Sequence, residues 1–148
     1  MNKGAHTQWD CRYHLVWCPK YRKDIFTKEG LKEYTWELFR RIAKEYDIEI
    51  EAMEIADDHV HLLVDIPPRR SVAEIVRVFK SISAREIFEK FPSIKNRLWA
   101  GELWKYGYFV RSVGSEVTGE MVKRYIDKHK DREGNPAQLR LGFKPERA

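Results

Sequence analysis

The feature that most constrains this chain is 59-HVHLLVDI-66, an apolar run of β period that Pro67-Pro68 closes off. Side chains alternate along a strand, so Val60, Leu62 and Val64 are expected on one face and His59 and His61 on the other. The apolar three need helices to cover them. The two imidazoles then turn away from that layer, with Cα atoms roughly 6.6 Å apart by the rise of a strand. Two readings stand for such a pair. Neutral imidazoles at this spacing converge on one divalent cation, or they are surface or hydrogen-bonded histidines. A metal needs at least a third ligand, and Asp57, Asp58 and Asp65 put acid nearby.

Around this run the periodicity changes in a regular order. Arg12–Cys18 (RYHLVWC) alternates Tyr13, Leu15 and Trp17, predicting a first strand, with His14 on its less apolar side and no role assigned to it. Residues 28–46 place Leu31, Tyr34, Leu38, Ile42 and Tyr46 on one helical stripe. A second strand is expected at 48–56 and the histidine strand at 59–66. Ser71 is a natural N-cap for a helix reaching about Phe91, with Val72, Ile75, Val76, Phe79 and Ile82 as its stripe. A fourth strand is expected at 103–111. A last helix begins around 115–118 and stops before Gly134. The order βαββαβ predicts an α+β ferredoxin-like sandwich, an antiparallel sheet with helices, plus that C-terminal helix. The expected division is one domain over residues 1–133 and a tail over 134–148.

Composition narrows the class. The 148 residues are 43% hydrophobic and 13% aromatic, which excludes a disordered chain. No run has the length of a membrane span and the N-terminus lacks an apolar signal core, so a cytoplasmic, non-membrane protein is expected. Cys11 and Cys18 share one strand, too far apart to bridge, and are expected as free thiols. The net charge of +5 is unevenly spread: residues 29–58 hold ten acids against four bases, while residues 1–28, 69–111 and 121–148 are all basic. That pattern suits a basic face toward a polyanion, or an ordinary solvated surface. Lys20, Arg22 and Lys23 around Tyr21, then Arg77, Lys80 and Arg85, then Lys123 and Arg124, are the candidate nucleic-acid contacts. There is no Walker lysine loop, dinucleotide fingerprint or nucleophile elbow, so no nucleotide cofactor is expected.

Far downstream, 121-MVKRYIDKHK-130 sets Tyr125 and His129 one turn apart on one helical face. Tyr125 also fits a packing stripe with Met121, Val122 and Ile126, and His129 fits a solvated last turn. A phenol, with its ordinary pKa about 10, becomes a nucleophile when a cation polarises the electrophile or a base takes its proton.

Five blocks in this order are together specific: YHLVWCPKYRKDIF, DDHVHLLVDIPP, FKSISAREIFEKFP, LWAGELWKYGYFVRSVG and VKRYIDKH. The chain resembles the single-tyrosine HUH transposases of the smallest bacterial and archaeal insertion sequences, from about Tyr13 to His129. The resemblance implies a homodimer that cleaves and rejoins single-stranded DNA at hairpins near the element ends. Tyr125 would be the nucleophile of a 5′-phosphotyrosine intermediate. A divalent metal, Mg²⁺ or Mn²⁺, would be held by His59, His61 and the residue one turn after the tyrosine. That residue is commonly glutamine in the family and is His129 here; three imidazoles suit softer ions than Mg²⁺. The alternative is a transposase-derived protein that binds structured single-stranded nucleic acid without cutting it.

Overall fold

The computed structural model describes residues 2–3, 8–9, 11–99 and 101–113. Tyr125, His129, Lys123 and Arg124, with the expected last helix and the tail, lie outside the described residues. Ahead of the main domain, Asn2–Lys3 pairs with Gln8–Trp9 as a two-residue ladder. The domain itself runs β1 (Arg12–Trp17), α1 (Leu31–Glu45), β2 (Glu49–Ile55), β3 (Val60–Asp65), α2 (Val72–Lys90), α3 (Pro92–Arg97) and β4 (Phe109–Ser112). The strands form one open sheet in the order β2-β3-β1-β4, with every neighbour antiparallel. This is the ferredoxin-like α+β order expected from the sequence.

Each helix follows from its local chemistry. Gly30, in the left-handed region at φ 83°, turns the chain into α1, where Leu31, Thr35, Leu38, Phe39, Ile42 and Ala43 form the buried stripe. At α2 the Ser71 Oγ accepts the Glu74 backbone N–H at 3.0 Å, satisfying one of the donors a helix start leaves open. Pro92 ends the run of α2 and opens α3 at its first turn. The short helix α3 was not expected.

Helix-side residues of the sheet pack with both long helices into a single core. Leu15, Trp17, Met53, Val60, Leu62 and Val64 meet Leu38, Phe39, Ile75, Val76 and Phe79 there. Its centre is aromatic: Trp17 lies 5.9 Å from Phe39 and 6.0 Å from Phe79, ring centre to ring centre, and Phe39 meets Phe79 edge-on at 5.2 Å. Val60, Leu62 and Val64 therefore face the helices, as the alternation required.

The fourth strand differs from expectation. Only Phe109–Ser112 joins the ladder, whereas the sequence pattern suggested 103–111. Before it, the chain runs beside the residues that follow β1, through the Pro19–Trp104 bridge and the Lys105 N–H donating to the Cys18 carbonyl at 3.0 Å, and Gly107 turns at φ 95°. Side-chain anchors replace the ladder here. The Lys80 ammonium donates to the carbonyls of Lys105 (2.9 Å) and Gly107 (2.7 Å), and the Trp104 indole N–H donates to the Ser83 hydroxyl at 2.8 Å. Both cysteines are free thiols, and burial raises the pKa of Cys18. Among the described residues no helix is long and apolar enough to cross a membrane.

Candidate metal centre

Asp57 and Asp58 form the tip of the β2–β3 hairpin, where the Ala56 N–H donates to the His59 carbonyl at 2.9 Å. This tight turn sets the register: Ile55 pairs with Val60 and Glu54 with His61. On β1, Val16 lies opposite His61 and His14 opposite Leu63. Glu54, His61 and His14 consequently come from three adjacent strands onto the face away from the helices.

That face is not exposed. His59 and His61 turn away from the helices, but they are 1% and 0% accessible; His14 is 1% and Glu54 3%. Buried polar groups must find partners or forfeit the hydration they lost. The Glu54 carboxylate lies 2.5 Å from His61 Nε2, a pairing of a carboxylate with a ring N–H. His61 Nδ1 lies 3.2 Å from His14 Nε2. His59 Nδ1 donates to Asp58 Oδ1 at 2.9 Å, and Asp58 Oδ2 accepts from the Arg22 guanidinium at 3.2 Å. The hydrogen bond from His59 holds the Asp58 carboxyl below its usual range. At His14, burial first, then the charges of His61 and Arg111, push the pKa down to about 3, so this ring is neutral at physiological pH.

Glu54, His59 and His61 each bring a ligand atom within 4.8 Å of the other two. Ligands on one ion at about 2.1 Å stand roughly 3–4 Å apart, so small side-chain rotations suffice to close this set. Two imidazole nitrogens and a carboxylate oxygen also suit an ion of intermediate hardness such as Mn²⁺. Both histidines have Nδ1 engaged, by Asp58 and by His14, which leaves Nε2 as the atom each ring presents to a metal. The donor set fits a divalent cation.

Glu54 is a functional candidate that sequence reasoning missed. Its signal was present: a tight hairpin centred on Asp57-Asp58 pairs residue 54 with residue 61. The three aspartates that looked equivalent in sequence separate in space. Asp58 backs His59, Asp57 pairs with Lys32 at 2.9 Å, and Asp65 sits at the other end of β3, accepting the Cys11 N–H at 3.1 Å.

The candidate nucleic-acid contacts also separate. Lys20 pairs with Glu102 at 2.5 Å, Arg22 with Asp58, and the Lys23 ammonium lies 5.8 Å from the centre of the exposed Trp99 ring. This loop and the segment around residue 100 thus display Tyr21 and Trp99 beside three cations. On α2, Arg77 and Arg85 are exposed, while Lys80 is half-buried and bound to the two carbonyls already named.

The described helices lie on one face of the open antiparallel sheet, and the His59 and His61 rings turn to the other. Residues 7–129 match the family model described as IS200-like transposase, and the chain belongs to that family. It is 37% identical over 136 residues to the ISDra2 transposase TnpA of Deinococcus radiodurans, covering 90% of this chain and 94% of that protein. It is 30% identical to the transposase of insertion sequence IS200 from Salmonella typhimurium, covering 94% and 90%. A crystal structure from Deinococcus radiodurans assigned as a transposase superposes with a TM-score of 0.69 at 33% identity, covering 86% of this chain and 97% of that one. A REP-associated tyrosine transposase bound to a REP hairpin superposes at 0.51 with 12% identity, covering 86% and 69%, and bears on the fold alone. The chain is a transposase, acting on DNA.

Proposed function

We propose that this transposase cleaves and rejoins single-stranded DNA at hairpin-bearing ends through a covalent 5′-phosphotyrosine at Tyr125. The observation that carries the reading is the convergence of Glu54, His59 and His61 on one point of a buried sheet face, in a chain of this family. His59 and His61 would hold a divalent cation, Mg²⁺ or Mn²⁺, through Nε2, with Glu54 as a carboxylate ligand beside them. His129, by its place one turn after Tyr125, is the further candidate. When bound, such a cation supplies Lewis-acid polarisation of the scissile phosphate.

The protein's own groups do the rest. Asp58 and His14 would fix the two rings from behind through their Nδ1 atoms, leaving Nε2 of each for the cation. The exposed Tyr21 and Trp99 rings, with Lys20, Arg22 and Lys23, offer stacking and phosphate contacts to unpaired DNA; Arg77, Lys80, Arg85, Lys123 and Arg124 are the further candidate contacts. The Tyr125 oxygen forms a bond to the phosphorus as the bond to the departing 3′ oxygen breaks, and the phenolic proton passes to that leaving oxygen or to solvent. Because the phosphodiester energy is kept in the phosphotyrosine, an incoming 3′-hydroxyl reverses the step and joins DNA without ATP. The acting unit in this reading is a homodimer, which light scattering checks.

The test uses a hairpin oligonucleotide labelled on the strand downstream of the cut, with Mn²⁺. Wild type gives a labelled protein band on denaturing gels, and Tyr125→Phe retains DNA binding but gives no band. A band that persists in Tyr125→Phe removes this tyrosine from the role. Cleavage with free 5′ phosphate ends and no protein–DNA bond shows that water is the nucleophile.

A further inference from the structure

We infer that His14 is a positioning residue of the metal centre, whose ring holds His61 by a hydrogen bond of either sense. The inference rests on the reading of Glu54, His59 and His61 as metal ligands. His14 is on β1, diagonal to His61 across the ladder, and both rings are fully buried with centroids 5.4 Å apart. A single hydrogen lies between His14 Nε2 and His61 Nδ1 at 3.2 Å.

Which ring donates depends on what His61 Nε2 faces. With no cation present, a hydrogen on Nε2 faces the Glu54 carboxyl. His61 Nδ1 is then an acceptor and His14 Nε2–H donates to it. When His61 Nε2 binds a cation, its hydrogen must reside on Nδ1, and His14 Nε2 becomes the acceptor. Each ring moves one hydrogen from Nε2 to Nδ1, so the pair neither gains nor loses a proton. A carboxylate in place of His14 would serve only the second state and would bring a further acidic group into a buried face. Asp58 fills the corresponding place behind His59, where it is half-buried and balanced by Arg22. The two ligands are thus backed by different chemistry, a half-exposed carboxylate behind His59 and a buried ring behind His61.

The experiment uses the full-length protein and Mn²⁺ alone, titrated calorimetrically into wild type, His14→Leu and His14→Gln. His14→Leu is expected to weaken binding about 10- to 100-fold, and His14→Gln, whose amide donates or accepts, to recover most of it. Two-bond ¹H–¹⁵N spectra of histidine-labelled wild type are expected to move the His61 and His14 hydrogens from Nε2 to Nδ1 on addition of Mg²⁺. These spectra decide the matter should His14→Leu fail to fold. Wild-type affinity in a folded His14→Leu, a His14→Gln as weak as His14→Leu, or a His14 that keeps Nε2–H in the loaded protein would each overturn the inference. Wild type that binds neither cation removes the ligand reading itself, a different failure from an unchanged His14→Leu.

Discussion

On the helix side of the sheet, Leu15, Trp17, Val60, Leu62 and Val64 are buried without a single titratable group among them. On the other side, His14, Glu54 and His61 are buried just as deeply beside Val16, Ala52 and Leu63. Exposure does not tell these faces apart; chemistry does. The first is held by apolar burial and aromatic packing, which any side chain of similar shape supplies. The second is held by hydrogen bonds across three strands, which only these side chains supply. A protein that needed the sheet for stability alone would gain little from the second arrangement, since apolar residues of the same volume are often as stabilising there. We propose that the polar face serves its site.

Substitutions on either side sharpen that contrast. Phe79→Ala, removing a ring packed against Trp17 and Phe39, is expected to cost about 3–5 kcal/mol in denaturant melts. Mn²⁺ affinity of the folded fraction is expected to stay near wild type. Glu54→Gln is expected to cost about 1–3 kcal/mol, because an amide replaces the carboxyl partner of His61. Its Mn²⁺ affinity is expected to fall at least about tenfold by calorimetry. If Glu54→Gln melts early but binds Mn²⁺ normally, the polar face is only structural.

How far these faces were legible in the sequence depends on what each required. The helix-side residues of β3, the helical stripes and the Ser71 cap follow from periodicity and capping chemistry within a few neighbouring positions. Alternation also showed that His59 and His61 leave the apolar layer. It could not show that the opposite face is buried, because that depends on the whole molecule. His14 was left without a role for the same reason: its partner is 47 residues away. Glu54 needed the hairpin register as well as the strand. The fourth strand was drawn too long because LWKYGYF has β composition, whereas its backbone is held by Lys80 and turned by Gly107.

Smaller effects follow behind His59. Asp58→Asn is expected to change stability by less than about 1 kcal/mol, since Asp58 and Arg22 are both partly solvated. It should still weaken Mn²⁺ binding about tenfold by loosening the His59 ring. Acid perturbs the same face. His14 has a folded pKa of about 3 against 6.5 in the unfolded chain, so below about pH 6.5 the unfolded state takes up a proton that the folded state refuses. Its contribution to stability is complete above pH 6.5 and is lost progressively as pH falls toward 3. Thermal melts of the metal-free protein between pH 7 and 5.5 should drop with pH, and His14→Leu should flatten part of that slope.

The central claim is that the buried polar face is a metal centre, and crystals soaked in Mn²⁺ test it most directly. An anomalous difference peak is expected within bonding distance of Glu54, His59 Nε2 and His61 Nε2 together. A face that stays without a peak at saturating Mn²⁺, or a peak that leaves His59 and His61 uncoordinated, would contradict the account.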